Sequence, residues 1–407
     1  MRFLIIALLC GLLGEDPPQD TVTLTRGKPL KGVILRHDAG GLWLAKKTRI
    51  KHYPLEEVVK TEGPRTVRQE YLKKLKTAFS EVPDADASFA LSQWCQKSGL
   101  LREVNLHLWR ALLIDPKHEA AHKALDHKRW RGLWRIPTQG RGKISLGDLR
   151  EYRRTDFSHA WKFTTTHFDI RCAGDLPDLV RLCADLEFLY DAYYSTFQEI
   201  IGFWEAQQPI LIHIYPDKAS MPNLANTVDA YYHKASRTVH TYFHDGIAKE
   251  LIHETTHALL AQSIREFARN DPAIPGWLNE GIAEYMEVSF AGSPGKPDYE
   301  AGRKNPKHFE VHAKHKRADS IQRVLTYDSG EFMASTDQSL KYAQSYNLVQ
   351  YLLHGAEEER KEGFLRFLQS VYERKGSSSH FKKALGLKDW DDFEEDWMKW
   401  LRTQIEE

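Results

Sequence analysis

The sequence sets two histidines four residues apart around a glutamate, in His253-Glu254-Thr255-Thr256-His257. On an α-helix that spacing stacks both imidazoles on one face, so the motif has chemical meaning only if this stretch is helical. The surroundings agree with a helix facing a core, since Ile247, Ala248, Leu251, Ile252, Ala258, Leu259 and Leu260 are apolar. Imidazoles held in such a segment need polar partners. Two of them in this arrangement can bind one Zn2+ at about 2.0–2.1 Å. Glu254 is displaced by about 100° around the helix, where it reaches a water on the metal rather than the metal itself. With 19 His in the chain, such a motif arises by chance in on the order of one in fifteen sequences, so a second element has to decide.

That element lies downstream. Pro275-Gly276-Trp277-Leu278-Asn279-Glu280-Gly281-Ile282-Ala283-Glu284-Tyr285 opens a second helix with two carboxylates four residues apart. Here the chain resembles the gluzincin group of zinc metallopeptidases, in which a helix following HExxH supplies a glutamate as third ligand. Trp277-Leu278-Asn279-Glu280-Gly281 is similar to the W-L-N-E-G of the aminopeptidase N-like branch. The resemblance implies one zinc ion held by His253, His257 and Glu280, with the fourth position open to water and substrate. It implies Glu254 as general base, and Glu284 as an acid holding a ligand histidine in its working tautomer. It also implies a tyrosine, well past the third ligand, that stabilises the oxyanion. Lys341-Tyr342-Ala343-Gln344-Ser345-Tyr346 supplies Tyr342 for that role, with Tyr346 as the alternative.

The resemblance covers residues 161–405 and extends to bacterial secreted gluzincin-like domains of unknown function, which share the Tyr-Ala-Gln-Ser helix. The chain lacks the G-A-M-E-N-type element with which aminopeptidases grip a free amino group, so the likeness does not extend to aminopeptidase activity. Gly292 to Arg317 reads as a long insertion after the ligand helix, either a lid or a solvated loop. Arg237–Phe243 reads as the edge strand on which an extended peptide could add.

Upstream, Met1-Arg2, an apolar run from Phe3 to Leu13 and Gly14 read as a signal peptide over 1–14, too short to be a stable span. Cys10 lies in that run, but Leu9 stands where a lipoprotein leader carries a small residue. The expected location is secreted, periplasmic or cell-envelope, with no stable membrane span in the mature chain. Cys95, Cys172 and Cys183 then remain, either one disulfide with a spare thiol or three buried thiols. A formal net charge of +1 gives no nucleic-acid footprint.

Short runs over 20–63, the first alternating strictly, predict a small SH3-like β-barrel. Residues 65–135 turn to helical periodicity, with helices over Ala85–Lys97 and Arg102–Ile114, a stop at Asp115-Pro116 and a new start at Glu119. That pattern is similar to a tetratricopeptide-like hairpin, too short for an array and suited to docking a protein partner. Residues 136–160 read as a linker. The expected whole is α+β: small barrel, helical hairpin, then a thermolysin-like domain of mixed sheet, zinc helix and helical C-terminal lobe. The expected substrate is a peptide or protein. A zinc hydrolase of another envelope amide or ester, and a non-catalytic scaffold with a retained peptidase fold, are the alternatives.

Overall fold

The computed structural model describes residues 19–46, 49–80, 82–198, 202–206, 208–222, 228–265, 273–293, 296–315, 318–334 and 337–406. The expected signal peptide lies outside them. The architecture is mixed α+β with several separate sheets. The chain divides into two compact units, one of Met1–Asp191, Gln207–Ala248 and Ser293–Pro297, the other of Ala192–Ala206, Lys249–Gly292 and Asp298–Glu407.

The first unit opens with strands β1 (Asp20–Leu24), β2 (Leu30–Asp38), β3 (Gly41–Lys46), β4 (Arg49–Tyr53) and β5 (Val58–Glu62), in the order β4-β3-β2-β1-β5. Val22, Ile34, Leu42 and Leu44 form its core. The expected barrel does not close. Exposed charges protect both edges, Arg49 and Lys51 on β4 and Lys60 and Glu62 on β5, and such charges disfavour further pairing.

Helices α1 (Pro64–Ser80), α2 (Ala85–Lys97), α3 (Val104–Ile114) and α4 (Glu119–Ala124) follow. Asp84 caps α2 by accepting from the Asp86 and Ala87 amides, and Asp115 stands at the C-cap of α3. Arg102 ties this region to the central sheet, donating to the Thr165 carbonyl and to Asp169 Oδ1, both at 2.5 Å.

The stretch read as a linker is folded. Strands β6 (Lys128–Trp130), β7 (Leu133–Thr138) and β8 (Gly142–Ile144) make an antiparallel sheet. Helix α5 (Leu146–Arg154) follows, started by a Ser145/Asp148 capping box.

The central sheet contains β9 (Trp161–Thr164), β10 (Phe168–Cys172), β11 (Ile210–Tyr215), β12 (Ala230–His233) and β13 (Thr238–Tyr242), in the order β12-β13-β11-β10-β9. It is mixed: β10, β11 and β13 run parallel, and β9 and β12 are antiparallel edges. Strands β9 and β10 form a hairpin, in which the Thr165 amide donates to the Phe168 carbonyl. The strand expected at the edge is interior. β13 is paired with β12 on one side and β11 on the other, so its main chain offers no free ladder to a peptide. Helix α6 (Leu176–Phe197) lies between β10 and β11 in sequence. Cys95, Cys172 and Cys183 are all buried free thiols.

The second unit is largely helical, built around α7 (Ile247–Gln262), α8 (Gly276–Ser289), α9 (Pro306–Lys314) and α10 (Gln338–Gln350). Where it is described, the insertion after the acidic helix is more than a solvated loop. It contains α9, started by an Asn305 cap with Pro306 in the first turn, with Phe309 and His312 buried. Its backbone is held by polar side chains of α10. Tyr346 donates to the Arg303 carbonyl, Gln350 to Gly302, Asn347 to His308 and Gln344 to Asp319. That is why a buried helix carries so many amides.

Candidate metal centre

Helix α7 carries His253 and His257 on one face, with ring centroids 4.8 Å apart and both residues buried. Helix α8 faces them with Glu280, and Trp277, Asn279 and Gly281 help to seat it. Trp277 is buried and stacks on Phe367 at 6.2 Å. Asn279 donates from Nδ2 to Glu280 Oε1 at 3.4 Å. Gly281 lets α10 approach, since a Cβ there would lie 2.6 Å from the Ser345 carbonyl oxygen.

The three donors converge. Glu280 Oε2 lies 3.3 Å from His253 Nε2 and 3.3 Å from His257 Nε2. Donors each about 2.05 Å from a tetrahedral ion stand about 3.3–3.4 Å apart, so the two spacings from Glu280 Oε2 match two edges of a zinc-sized tetrahedron. Glu254 offers a carboxylate oxygen within 4.8 Å of ring nitrogens of both histidines. A second grouping, His253 with Glu284 and Glu287, meets the same limit. It uses the opposite edge of the same ring, where Glu287 Oε2 is 3.1 Å from His253 Nδ1 and Glu284 Oε1 is 3.7 Å away. Lys249 pairs with Glu287 already, so this second group has its own cation.

Charge dominates the electrostatics. Burial alone would lower the His253 pKa, but Glu280, Glu287, Glu284 and Glu254 hold it well above the ordinary imidazole value. His257 is raised in the same way, mainly by Glu280. Burial would raise Glu280, and the two imidazoles instead hold it far below the usual carboxylate range. Four carboxylates thus face three imidazoles, His253, His257 and the His308 that meets Glu284, and one lysine, so with the imidazoles neutral the acids are in excess and a bound dication would offset them. His257 Nδ1 is buried and finds no hydrogen-bond partner among the described residues.

Residues 247–377 match a family model described as "Protein of unknown function (DUF1570)". The matched segment contains every donor named above. No curated protein and no solved structure matches the chain.

The residues singled out in the sequence assemble with two adjustments. Tyr342 lies against His253, with ring centroids 6.2 Å apart. Tyr346 does not join them, because its hydroxyl donates to the Arg303 carbonyl and accepts from the Asn305 amide. Glu284 is nearer His308, whose Nε2 is 2.9 Å from its Oε2, than the histidine it was expected to orient. Glu287 takes that place. It sits three residues beyond Glu284 on the same face of α8, a helical signal present in the sequence. Lys249, four residues before His253, carries the same signal. His308 had none, since only the fold of α9 brings it to the cluster.

Proposed function

We propose that this cluster is a single-zinc hydrolytic centre and that the protein is a metallopeptidase of gluzincin type, acting on peptides or proteins outside the cytoplasm. The observation that carries the reading is that His253 Nε2 and His257 Nε2 each lie 3.3 Å from the same oxygen, Glu280 Oε2, in a buried site rich in carboxylates. The chain order of mixed sheet, HExxH helix and helical remainder is also that of a thermolysin-like domain.

His253, His257 and Glu280 would hold the ion. Bound there, zinc supplies Lewis acidity, polarising a carbonyl and bringing the acidity of water to about pH 7. Glu254 flanks both imidazoles and accepts the proton of the attacking water. It then passes that proton to the nitrogen of the leaving amine as the C–N bond breaks. Burial, followed by Glu280, Glu254, Glu284 and Glu287, pushes the Tyr342 phenol upward, so its hydroxyl keeps its proton at neutral pH and donates to the developing oxyanion. Glu287 accepts from His253 Nδ1, which leaves Nε2 as the ligating lone pair.

The test is Glu254→Gln, assayed by zinc analysis and by cleavage profiling on a peptide library. The expected outcome is full zinc content with hydrolysis reduced by about 10²–10⁴. Unchanged turnover in the variant, or a wild-type protein that neither contains nor takes up zinc, would remove the proposal.

A further inference from the structure

The hairpin β6–β7 reads Lys128-Arg129-Trp130-Arg131-Gly132-Leu133-Trp134-Arg135, cations and large apolar residues with no acid among them. The whole chain has a formal net charge of +1, so this concentration of positive charge is local. Cross-strand partners share a face: Trp130 with Leu133 and Lys128 with Arg135 on one side, Arg129 with Trp134 on the other.

The two faces are used differently. Trp134 turns inward and stacks on the buried His122 at 4.5 Å, with 10° between the ring planes. That contact fixes the hairpin on the protein. The opposite face is open, with Trp130 51% and Leu133 59% exposed. Trp130 is the one aromatic among the exposed large hydrophobics of the described residues.

The tip is stiff. Arg131 at φ 49° and Gly132 at φ 80° give the two positive angles of a type I′ turn, which matches the twist of the strands it joins. Asn or Gly would occupy the first position with less strain. Arginine there instead sets a guanidinium at the outermost point of the hairpin, 4.4 Å over the Trp130 ring.

The geometry points to a membrane-surface contact: the tip of β6–β7 seats Trp130 and Leu133 at the headgroup boundary of an anionic bilayer, with Arg131 at the turn, and Arg135 and the Asp126-paired Lys128 on the same face, among the phosphates. Tryptophan favours that boundary because its ring is apolar and its N–H stays wet. The cations add attraction to anionic lipid that falls with salt. A single-stranded nucleic acid fits less well. One face of Trp130 is capped by Arg131, and its cross-strand neighbour is an aliphatic leucine, so no platform for successive bases is present. No helix of the described residues is long and apolar enough to cross a membrane. The inference is independent of the hydrolytic reading, whose residues lie in the other unit.

The experiment is co-sedimentation of the full chain with phosphatidylcholine vesicles, with and without phosphatidylglycerol, over a salt series. Binding is expected only with phosphatidylglycerol and should weaken as salt rises. Trp130→Ser with Leu133→Ser should lower partitioning about tenfold. Arg131→Gln should lower it about fivefold, and Arg129→Gln, on the other face, should lower it less. These side chains are exposed, so the variants keep the fold. Absence of binding to the anionic vesicles overturns the proposal. So does binding that survives loss of Trp130 and Leu133, which marks a purely electrostatic polyanion site. Tighter binding to a single-stranded oligonucleotide than to the vesicles overturns it in favour of nucleic acid.

Discussion

Each unit buries a cluster of glutamate and histidine, and the two clusters differ in how their charge closes. In the first unit Glu187 accepts from the His167 amide at 3.1 Å and meets its Nδ1 at 2.7 Å, while Tyr190 stacks on the imidazole at 3.6 Å. One acid meets one imidazole, and the Arg68 guanidinium lies over the Tyr190 ring. Burial would raise Glu187, but His167 and then Arg68 hold it down at about 2. In the second unit Glu254, Glu280, Glu284 and Glu287 surround His253 and His257 with Lys249 as the paired ammonium. The first cluster is complete with the chain's own charges. The second gathers four carboxylates around one pair of imidazoles, and that crowding of acids supports the proposed metal centre.

The comparison breaks most readily at Glu187. Replacing it with Gln removes the buried partner of His167 and should cost about 3 kcal/mol of stability, measured as a shift in urea midpoint. The pH dependence has a definite sign. The Glu187 carboxyl is depressed from 4.5 to about 2 on folding, so its contribution is present above about pH 4.5 and is lost as pH falls toward about 2. The wild type should therefore lose stability over that window, and the variant should lose less of it. A variant as stable as the wild type would place the two clusters in one class.

The helical part of the site was legible because its chemistry sits on helices, where four-residue spacing fixes a face. His253, His257, Glu280 and the closeness of Tyr342 all follow from that periodicity and from the resemblance at Trp277–Gly281. Features set by tertiary contact were not legible. Tyr346 looked as available as Tyr342 until the backbone at Arg303 and Asn305 claimed its hydroxyl. The part of the β6–β8 sheet from residue 136 on was read as linker because Pro137 and its glycines are turn residues, and turn residues serve a tight meander as well as a loop. The pairing of β13 on both sides could not be read from its own sequence, since strand neighbours are chosen at long range.

Within the second unit the effect should fall off with distance from the reacting atoms. Tyr342→Phe removes one hydroxyl and keeps the ring packed against His253 and Phe332. Loss of a single oxyanion donor costs about 10²–10³ in kcat, with KM and zinc content little changed. Tyr346→Phe should leave kcat near wild type and lower thermal stability instead, because its hydroxyl holds the α9 insertion. A matching fall in kcat for both variants would argue for a packing role shared by the two tyrosines.

The smallest effect separates the two carboxylates behind His253. Glu287 lies 3.1 Å from Nδ1 and Glu284 lies 3.7 Å away, where it is also engaged by His308. If the nearer acid orients the ligand, Glu287→Gln should weaken zinc binding by about 10–100-fold, read by competition with a chromogenic chelator. Glu284→Gln should do less, since His253 keeps its closer partner. Lys249→Met adds a control. Its side chain is 67% exposed while that of Glu287 is 9% exposed, so losing the ion pair should lower the urea midpoint less than Glu187→Gln does. Its removal leaves Glu287 free to bind His253 more strongly, so zinc affinity should hold or rise. The reverse order, with Glu284→Gln the more damaging, would mean that His253 turns toward Glu284 when the ion is bound.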